Sequence, residues 1–309
     1  MQNINYENKN INKDDSSETI REKVITEFNF INYIKNKPQH IKEINIHFLE
    51  WFIGFFEAEG SFCSWFDGKK NRCQIEISQK DPKLMFKIKK NLGFGNVTQF
   101  SKNKKFYWRY STSKKDFLIS FIYLFIYLFN GNLVSNHKKK MFEKFVQNFN
   151  KIYNMNFFIF QKNLQPSLNN AWLSGFLEGD GGFYVTYNNI IKTNIDGSQV
   201  YNFKMRFYII QKNEEKLLIK IKEIFGIPSN IYQIHNGHTS DKYNRLETHQ
   251  LKCHLLIVTY LDKFPFLGKR NITFFCWKRL LNYRINKYPI TEKSIFKLKC
   301  LILAIKNNI

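Results

Sequence analysis

The chain has 309 residues, of which 43% are hydrophobic and 17% aromatic, so a large core is expected and wholesale disorder is excluded. Lysine and arginine total 48 against 25 acidic residues, and the net charge of +23 indicates a polyanionic partner. The longest apolar run, Phe117 to Phe129, is too short for the roughly 20 residues that span a bilayer. Because the N-terminus also lacks a signal-peptide pattern, we expect nucleic acid rather than a membrane as the partner.

Residues 1–45 are polar and then weakly helical, and they are predicted to be an N-terminal extension. The first segment with a distinctive motif comes after them. It reads "FIGFFEAEGSF" (52–62) and puts Glu57 and Glu59 at the end of a helix. Carboxylates are disfavoured there, because the helix dipole is negative at the C-terminus. The two acids therefore require an explanation beyond their own helix.

The same motif returns later in the chain as "LSGFLEGDGGF" (173–183). The two segments match position by position, so that Glu178 corresponds to Glu57 and Asp180 to Glu59. Downstream, "EISQKDPKLMFKIKKNLGFG" resembles "YIIQKNEEKLLIKIKEIFGI", and this alignment pairs Gln79 with Gln211. The chain therefore contains an internal repeat.

The repeat divides the chain beyond the extension into a subdomain at 46–150, a linker at 151–168 and a second subdomain at 169–309. Each half reads α-β-β-α-β-β-α, which predicts an α+β fold with antiparallel sheets. The second copy has extra residues at 188–199, a polar stretch that we interpret as a loop. The remaining predicted elements of each half are a first strand (62–66; 183–187) and an amphipathic helix (82–92; 214–225).

Small residues four positions apart mark one face of each acidic helix: Gly54 with Ala58, and Gly175 with Gly179. Such a stripe lets two helix backbones approach closely, so we expect the two helices to pack about a pseudo-twofold axis.

Across such a contact, Glu59 and Asp180 would come together, and their repulsion would favour a cation between them. Hard oxygen ligands suit Mg²⁺ and metal-assisted phosphodiester cleavage. The predicted metal site comprises the two acids and the residues before them, Ala58 and Gly179. The alternative is that the acids are solvated and the glycines only terminate the helices.

"FIGFFEAEG" and "LSGFLEGDG" resemble the two signature helices of a single-chain LAGLIDADG homing endonuclease, and the resemblance extends from about residue 46 onward. It implies two pseudo-twofold subdomains with saddle-shaped antiparallel sheets, and we expect a monomer. It also implies that Glu59 and Asp180 bind Mg²⁺, or another hard divalent cation such as Mn²⁺ or Ca²⁺. Glu57 and Glu178 match the acidic position that is structural in the family.

The resemblance implies further catalytic residues around these acids. Gln79 and Gln211 match the polar residue near the scissile phosphates. A basic residue at the start of the final helix corresponds to Arg270, or to its neighbour Lys269, and to Lys138 in the first copy, where the prolyl lead-in is missing. The alternative for these three cations is plain phosphate contact.

Alternation along the strands predicts a polar sheet face that can read base edges in the major groove. An ordinary solvent-facing sheet is the alternative. Lysine clusters at 102–105 and 138–140 should neutralise phosphates and make binding steeply dependent on salt. The candidate DNA-binding residues are Cys63, Trp65, Asp67, Lys70, Arg72, Gln74, Glu76 and Ser78 in the first copy, and Tyr184, Thr186, Asn188, Asn202, Lys204, Arg206 and Tyr208 in the second.

The resemblance thus implies a site-specific endonuclease that makes a staggered double-strand break in a long, non-palindromic, double-stranded DNA target by Mg²⁺-dependent hydrolysis. One alternative is an RNA maturase that assists splicing of its host intron, and a weaker one is a DNA-binding regulator. The chain is rich in residues with A/T-rich codons, such as Ile, Phe, Lys, Asn and Tyr. That skew suggests an organellar gene, mitochondrial or, as the alternative, chloroplast.

Overall fold

A computed structural model describes residues 25–66, 71–112, 118–160, 162–187, 189–235, 242–286 and 288–307. The expectations for Asp67, Lys70 and Asn188, and for most of the N-terminal extension, lie outside these residues.

The first half of the chain forms one four-stranded antiparallel sheet with helices on one side, in the strand order β1-β2-β4-β3. The helix predicted at 82–92 is found with those bounds. A second helix follows the apolar one, and it continues three residues into the predicted linker. The elements are α1 (Ile31–Asn36), α2 (Ile46–Glu59), β1 (Gly60–Trp65), β2 (Arg72–Gln79), α3 (Pro82–Leu92), β3 (Asn96–Lys102), β4 (Lys105–Ser111), α4 (Leu118–Phe129) and α5 (Asn136–Tyr153).

The second half repeats this arrangement, with the strand order β5-β8-β10-β9, and adds elements of its own. The additions are a hairpin of two short strands and a helix at the end of the chain. Its elements are α6 (Trp172–Asp180), β5 (Gly181–Thr186), β6 (Ile191–Thr193), β7 (Gln199–Tyr201), β8 (Lys204–Gln211), α7 (Glu215–Ile224), β9 (Tyr232–His235), β10 (Lys242–Thr248), α8 (Leu251–Lys263), α9 (Arg270–Asn286) and α10 (Glu292–Asn307).

The interpretation of 188–199 as a loop was wrong, because β6 and β7 pair there as a hairpin. Its turn has Gly197 at φ 79°, a left-handed conformation that glycine adopts at little cost. Asp196 precedes this glycine, and its carboxylate accepts hydrogen bonds from the backbone and hydroxyl of Ser198. Asp-Gly between two short runs is a hairpin signal that the polar composition of the stretch concealed.

The starts of α2 and α3 follow from local sequence. Asn45 accepts a hydrogen bond from the backbone of Phe48 at 3.0 Å and caps α2. Asp81 does the same for Lys83 at 3.0 Å, with Pro82 in the first turn of α3. These caps fix the residue at which each of the two helices begins.

The central strands β2 and β8 alternate between a buried apolar face and a polar face, as predicted. The apolar side chains lie against the helices and are at most 1% exposed: Cys73, Ile75 and Ile77 on β2, and Met205, Phe207 and Ile209 on β8. The α+β fold and the antiparallel sheets are thereby confirmed. The apolar run of α4 belongs to the core, where Phe125 stacks on Phe129 with ring centroids 5.7 Å apart. Over the described ranges, no helix combines the length and apolarity needed to cross a membrane.

One buried titratable group generates a pH prediction. His254 on α8 is fully buried, its Nε2 lies 3.1 Å from the carbonyl oxygen of Thr248, and its ring meets the edge of Trp277. Burial lowers the pKa of His254 to about 4, below its ordinary 6.5. The unfolded chain therefore binds a proton between these pH values that the folded protein does not, so stability should fall as pH falls from about 6.5 to 4.

The measurement is urea unfolding of the wild type and of His254→Gln across that range. The difference between their unfolding free energies should shrink by about 3 kcal/mol from the upper to the lower pH, because each pKa unit corresponds to about 1.4 kcal/mol. Comparing the two proteins cancels the buried carboxylates, whose pKa values are shifted in the opposite direction. A difference that is independent of pH would contradict the prediction.

Candidate active site

The site is built on direct backbone contact between α2 and α6. A Cβ added at Gly54 would lie 1.9 Å from the carbonyl oxygen of Trp172, and one added at Gly175 would lie 1.8 Å from that of Trp51. At the next position of each stripe, a Cβ on Gly179 would lie 2.4 Å from the Cβ of Ala58. These distances leave no room for any side chain, so the expected close packing of the two stripes is confirmed.

This contact places Glu59 and Asp180 beside each other at the adjoining ends of the two helices. Burial and then the charge of Glu59 raise the pKa of Asp180 to about 7. Burial also raises the pKa of Glu59. The two carboxylates therefore share a desolvated position in which their negative charges oppose each other.

Gln79 and Gln211, at the ends of β2 and β8, lie next to these acids. The side-chain amide of Gln211 donates a hydrogen bond to the carboxylate of Asp180. Gln79 forms the equivalent side-chain hydrogen bond with Glu59. Each half thus pairs one acid at a helix end with one amide at a strand end.

The cations at the starts of α5 and α9 contact the ends of the acidic helices. Lys138 Nζ donates to the carbonyl oxygen of Gly60 at 2.5 Å. The guanidinium of Arg270 donates to the carbonyl oxygens of Glu178, at 2.7 Å, and of Gly179 and Gly181. These positive groups offset the negative end of each helix dipole. The side chain of Lys269 is exposed, so Arg270 is the one that the fold brings to the helix end.

The donor set fits a hard divalent cation. Across the part of the chain that the structure describes, no three His, Cys, Asp or Glu side chains gather as ligands, so the protein would offer only two carboxylates. A pocket of about 500 Å³ opens beside Ala58, Gly179, Asp180, Gln211 and Arg270. Mg²⁺ normally keeps several waters and binds one or two carboxylates together with substrate phosphates, which matches this arrangement.

Glu57 and Glu178 have a different environment and link the halves. Both are buried, and each receives the indole N–H of a tryptophan on the opposite helix: Trp172 donates to Glu57, and Trp51 donates to Glu178 at 3.0 Å. Each also accepts hydrogen bonds from two backbone N–H groups that lie shortly before a later helix. Glu57 accepts from Val134 and Ser135, before α5, and Glu178 accepts from Leu267 and Gly268, before α9. Despite these bonds, burial raises the pKa of both carboxyls to about 7.

The outer faces of β1 and β2 present most of the predicted DNA-binding residues of the first half. Trp65 lies opposite Arg72, whose guanidinium stacks 4.6 Å from the ring centroid. Cys63 lies opposite Gln74. Gln74 differs from the expectation, because it is only 7% exposed and its amide donates to Glu76 at 2.8 Å. It sits on a central strand of the sheet, between β1 and β4. Ser78 and Glu76 are half-buried on the same face.

The second half places its candidates in the same way. Tyr184 lies opposite Arg206, and Thr186 lies opposite Lys204, all on the face away from the core. Tyr208 shares that face. Asn202 is exposed just before β8.

Two arginines of the outer faces were missed by the sequence reasoning. Arg109 on β4 lies 3.4 Å from Glu76 and stacks on Phe100. Arg245 on β10 lies 2.9 Å from Glu247 and stacks on Tyr208. The two arginines occupy equivalent positions, opposite Ser78 and Ile210. The alternation of "KFYWRYS" and "KYNRLET" is the sequence signal for both arginines, but the candidate residues came only from the first two strands of each half.

The two acids lie at the adjoining ends of two helices that pack glycine against backbone, and each helix leads into its own four-stranded antiparallel sheet, which is the arrangement of a LAGLIDADG protein. The model of the LAGLIDADG endonuclease family matches residues 52–153 and 173–281, and the chain belongs to this family.

Similarity to individual proteins agrees with this membership. The chain is 31% identical over 84% of its length to a "probable intron-encoded endonuclease 4" of Neurospora crassa, of which the match covers 44%. It is 27% identical over 77% of its length to the "intron-encoded RNA maturase bI4" of Saccharomyces cerevisiae, of which the match covers 35%. The chain thus spans less than half the length of either relative.

The fold resembles solved structures of the family. The crystal structure of the LAGLIDADG meganuclease I-CpaMI bound to uncleaved DNA aligns with a TM-score of 0.62 at 17% sequence identity. The alignment covers 85% of this chain and 99% of that one. The two-subdomain architecture with two antiparallel sheets is therefore shared.

The helix contact generates a stability prediction. Gly175→Ala should lower the free energy of unfolding by about 3 kcal/mol or more, because the new methyl group would overlap the backbone of α2. The measurement is chemical denaturation. Ser174→Ala is the matched control, since it changes the neighbouring position of α6 and removes a buried hydroxyl that has no hydrogen-bond partner among the described residues. Equal stabilities of the two variants would contradict the close contact.

Proposed function

We propose that the protein is a site-specific homing endonuclease that hydrolyses one phosphodiester bond in each strand of a long, double-stranded DNA target. The observation that carries the proposal is the pairing of Glu59 with Asp180 at the junction of two sheets in a member of this endonuclease family. Two desolvated carboxylates repel each other, and this cost is offset where a divalent cation and DNA phosphates are bound.

Mg²⁺ is the proposed cofactor, with Mn²⁺ or Ca²⁺ able to occupy the same place, held by Glu59 and Asp180 at the positions next to Ala58 and Gly179. When bound, it supplies Lewis acidity and lowers the pKa of water. Gln79 and Gln211 hydrogen-bond the acids and would also orient an attacking water. Lys138 and Arg270 provide positive charge for the developing negative charge on the phosphate. Lys269 is assigned to plain phosphate contact.

The two outer sheet faces are the proposed DNA-binding surface. Trp65 with Arg72 in one half, and Tyr184 with Arg206 in the other, are candidates for contacts to base edges. Because the two faces carry different side chains, the proposed target is non-palindromic. Two pseudo-symmetric sites in one chain would cut both strands as a monomer and leave staggered ends.

A second function, RNA maturation, is favoured by the similarity to the yeast maturase. It would act on the host intron RNA, with or without DNA cleavage. The fungal, intron-encoded relatives and the abundance of residues with A/T-rich codons support a mitochondrial origin. They give no support to the chloroplast alternative.

Cleavage should depend on the paired acids. Asp180→Asn should lower the rate of cleavage by at least about 100-fold, since even groups one shell away from a metal change affinity or activity by about 10 to 100-fold. The assay uses Mg²⁺ and the uninterrupted form of the host gene. Affinity for that DNA should be retained, because the sheets are unchanged.

The control for this assay is Lys216→Met, which alters an exposed cation on α7 outside the proposed site and should cut as well as the wild type. An Asp180→Asn protein that cuts normally would refute the mechanism. A wild type that binds the DNA without cutting, and that promotes splicing of the intron, would establish the maturase instead.

Metal dependence should itself vary with pH. Since the pKa of Asp180 is raised to about 7, a proton competes with the cation below that pH, and the charged ligand is fully available only above it. The Mg²⁺ concentration for half-maximal cleavage should rise about tenfold for each pH unit below 7. Metal-free DNA binding, measured in parallel, serves as the control. A midpoint that stays constant from pH 8 to pH 6 would contradict the assignment.

A further inference from the structure

The starts of α5 and α9 each contact a carboxylate from the opposite half of the molecule. Glu214, in the second half, accepts hydrogen bonds from the Ser135 hydroxyl at 2.8 Å and the His137 backbone N–H at 2.5 Å. Asp81, in the first half, accepts one from the backbone N–H of Lys269 at 3.2 Å. Both acids are buried, at 5% and 8% exposure.

The two acids occupy similar places in the repeat, each at the N-cap of the helix that follows the central strand, although the alignment sets them one position apart. Asp81 follows β2 two residues after Gln79, and Glu214 follows β8 three residues after Gln211. Each is therefore attached to the strand that carries the amide of its own half, while its carboxylate reaches the helix of the other half. Glu57 and Glu178 differ, because the backbone groups that they accept belong to their own half.

Both contacts lead to a cation of the candidate site. Ser135, bound by Glu214, also accepts the backbone N–H of Lys138 at 3.2 Å, and the Lys138 ammonium reaches the carbonyl of Gly60. Lys269, bound by Asp81, directly precedes Arg270. Anchoring the first turn of each helix therefore fixes the point from which each cation extends.

We propose that Glu214 and Asp81 are positioning residues that act across the pseudo-twofold axis, Glu214 on Lys138 and Asp81 on Arg270. Each half aligns the cation of the other, so the two strand-cutting sites can be impaired separately from outside the metal site. The inference rests on the proposed endonuclease function. Because Glu214 makes two hydrogen bonds across the axis and Asp81 makes one, loss of Glu214 should slow its strand more than loss of Asp81 slows the other.

The effect on cleavage is tested by measuring the nicking of each DNA strand separately. Glu214→Ala and Asp81→Asn are each incubated with a target that is labelled on both strands. Lys138→Met and Arg270→Met are assayed in parallel and show which strand depends on which cation. Asp81→Asn keeps an oxygen for Lys83 and so preserves the cap of α3. Each positioning variant should slow one strand about tenfold relative to the other, and that strand should match its cation variant.

Matched controls separate positioning from general damage. Glu215→Ala removes an exposed carboxylate from the first position of α7, directly after Glu214, and should leave the strand ratio at the wild-type value. Glu214→Gln keeps an acceptor for Ser135 and should show the bias of Glu214→Ala more weakly. Equal slowing of both strands by Glu214→Ala and Asp81→Asn would overturn the inference, since a merely structural role changes stability without choosing a strand.

Backbone amide hydrogen exchange tests whether the two acids anchor the starts of α5 and α9, and it does not require cleavage. Exchange should accelerate at 136–139 in Glu214→Ala and at 269–272 in Asp81→Asn, in each case across the axis from the substitution. If the wild type does not cut DNA, the proposed function fails, and exchange still decides whether the cross-axis anchoring exists. Acceleration confined to the half that carries the substitution would overturn it.

Discussion

The backbone-to-backbone contact between α2 and α6 is the constraint on which the rest of the molecule depends. Gly54 and Gly175 each occupy a place where a side chain would lie within 2 Å of the opposite carbonyl oxygen. With that spacing, the ends of both helices arrive at one point, and the sheets that follow them extend away on either side. The candidate active site and the proposed nucleic-acid surface are both consequences of this one approach.

Exchange of polar partners between the halves reinforces the contact. Trp51 and Trp172 each cross to the acid of the other helix, and Glu57 and Glu178 then bind the backbone before α5 and α9. Buried carboxylates are costly unless they are fully hydrogen-bonded, and here three donors meet each one. Glu57 and Glu178 thus connect the contact between α2 and α6 to α5 and α9, the helices that carry Lys138 and Arg270.

Two arginines on the outer sheet faces are held in place by contacts with neighbouring side chains. Arg109 and Arg245 occupy equivalent positions, and each is held by a glutamate and an aromatic ring. The glutamate comes from β2 in one half and from β10 in the other, which shows how two copies of one framework have diverged on their surface. An arginine restrained in this way loses less conformational freedom when it binds, which favours specific contacts over general phosphate attraction.

The sequence by itself determined the repeat, the α+β class, the small-residue stripes and the two acids, because periodicity and spacing are local properties of the chain. Through the family resemblance it also indicated Gln79, Gln211 and Lys138, and it left Arg270 and Lys269 as alternatives, between which the fold chose Arg270. Only the tertiary structure decided that Gln74 is covered, that residues 191–201 form a hairpin, and that Arg109, Asp81 and Glu214 face partners far away in the chain, as Arg245 does in stacking on Tyr208. Those features depend on which elements come into contact, and the identity of a distant neighbour is not encoded in the pattern of any one segment.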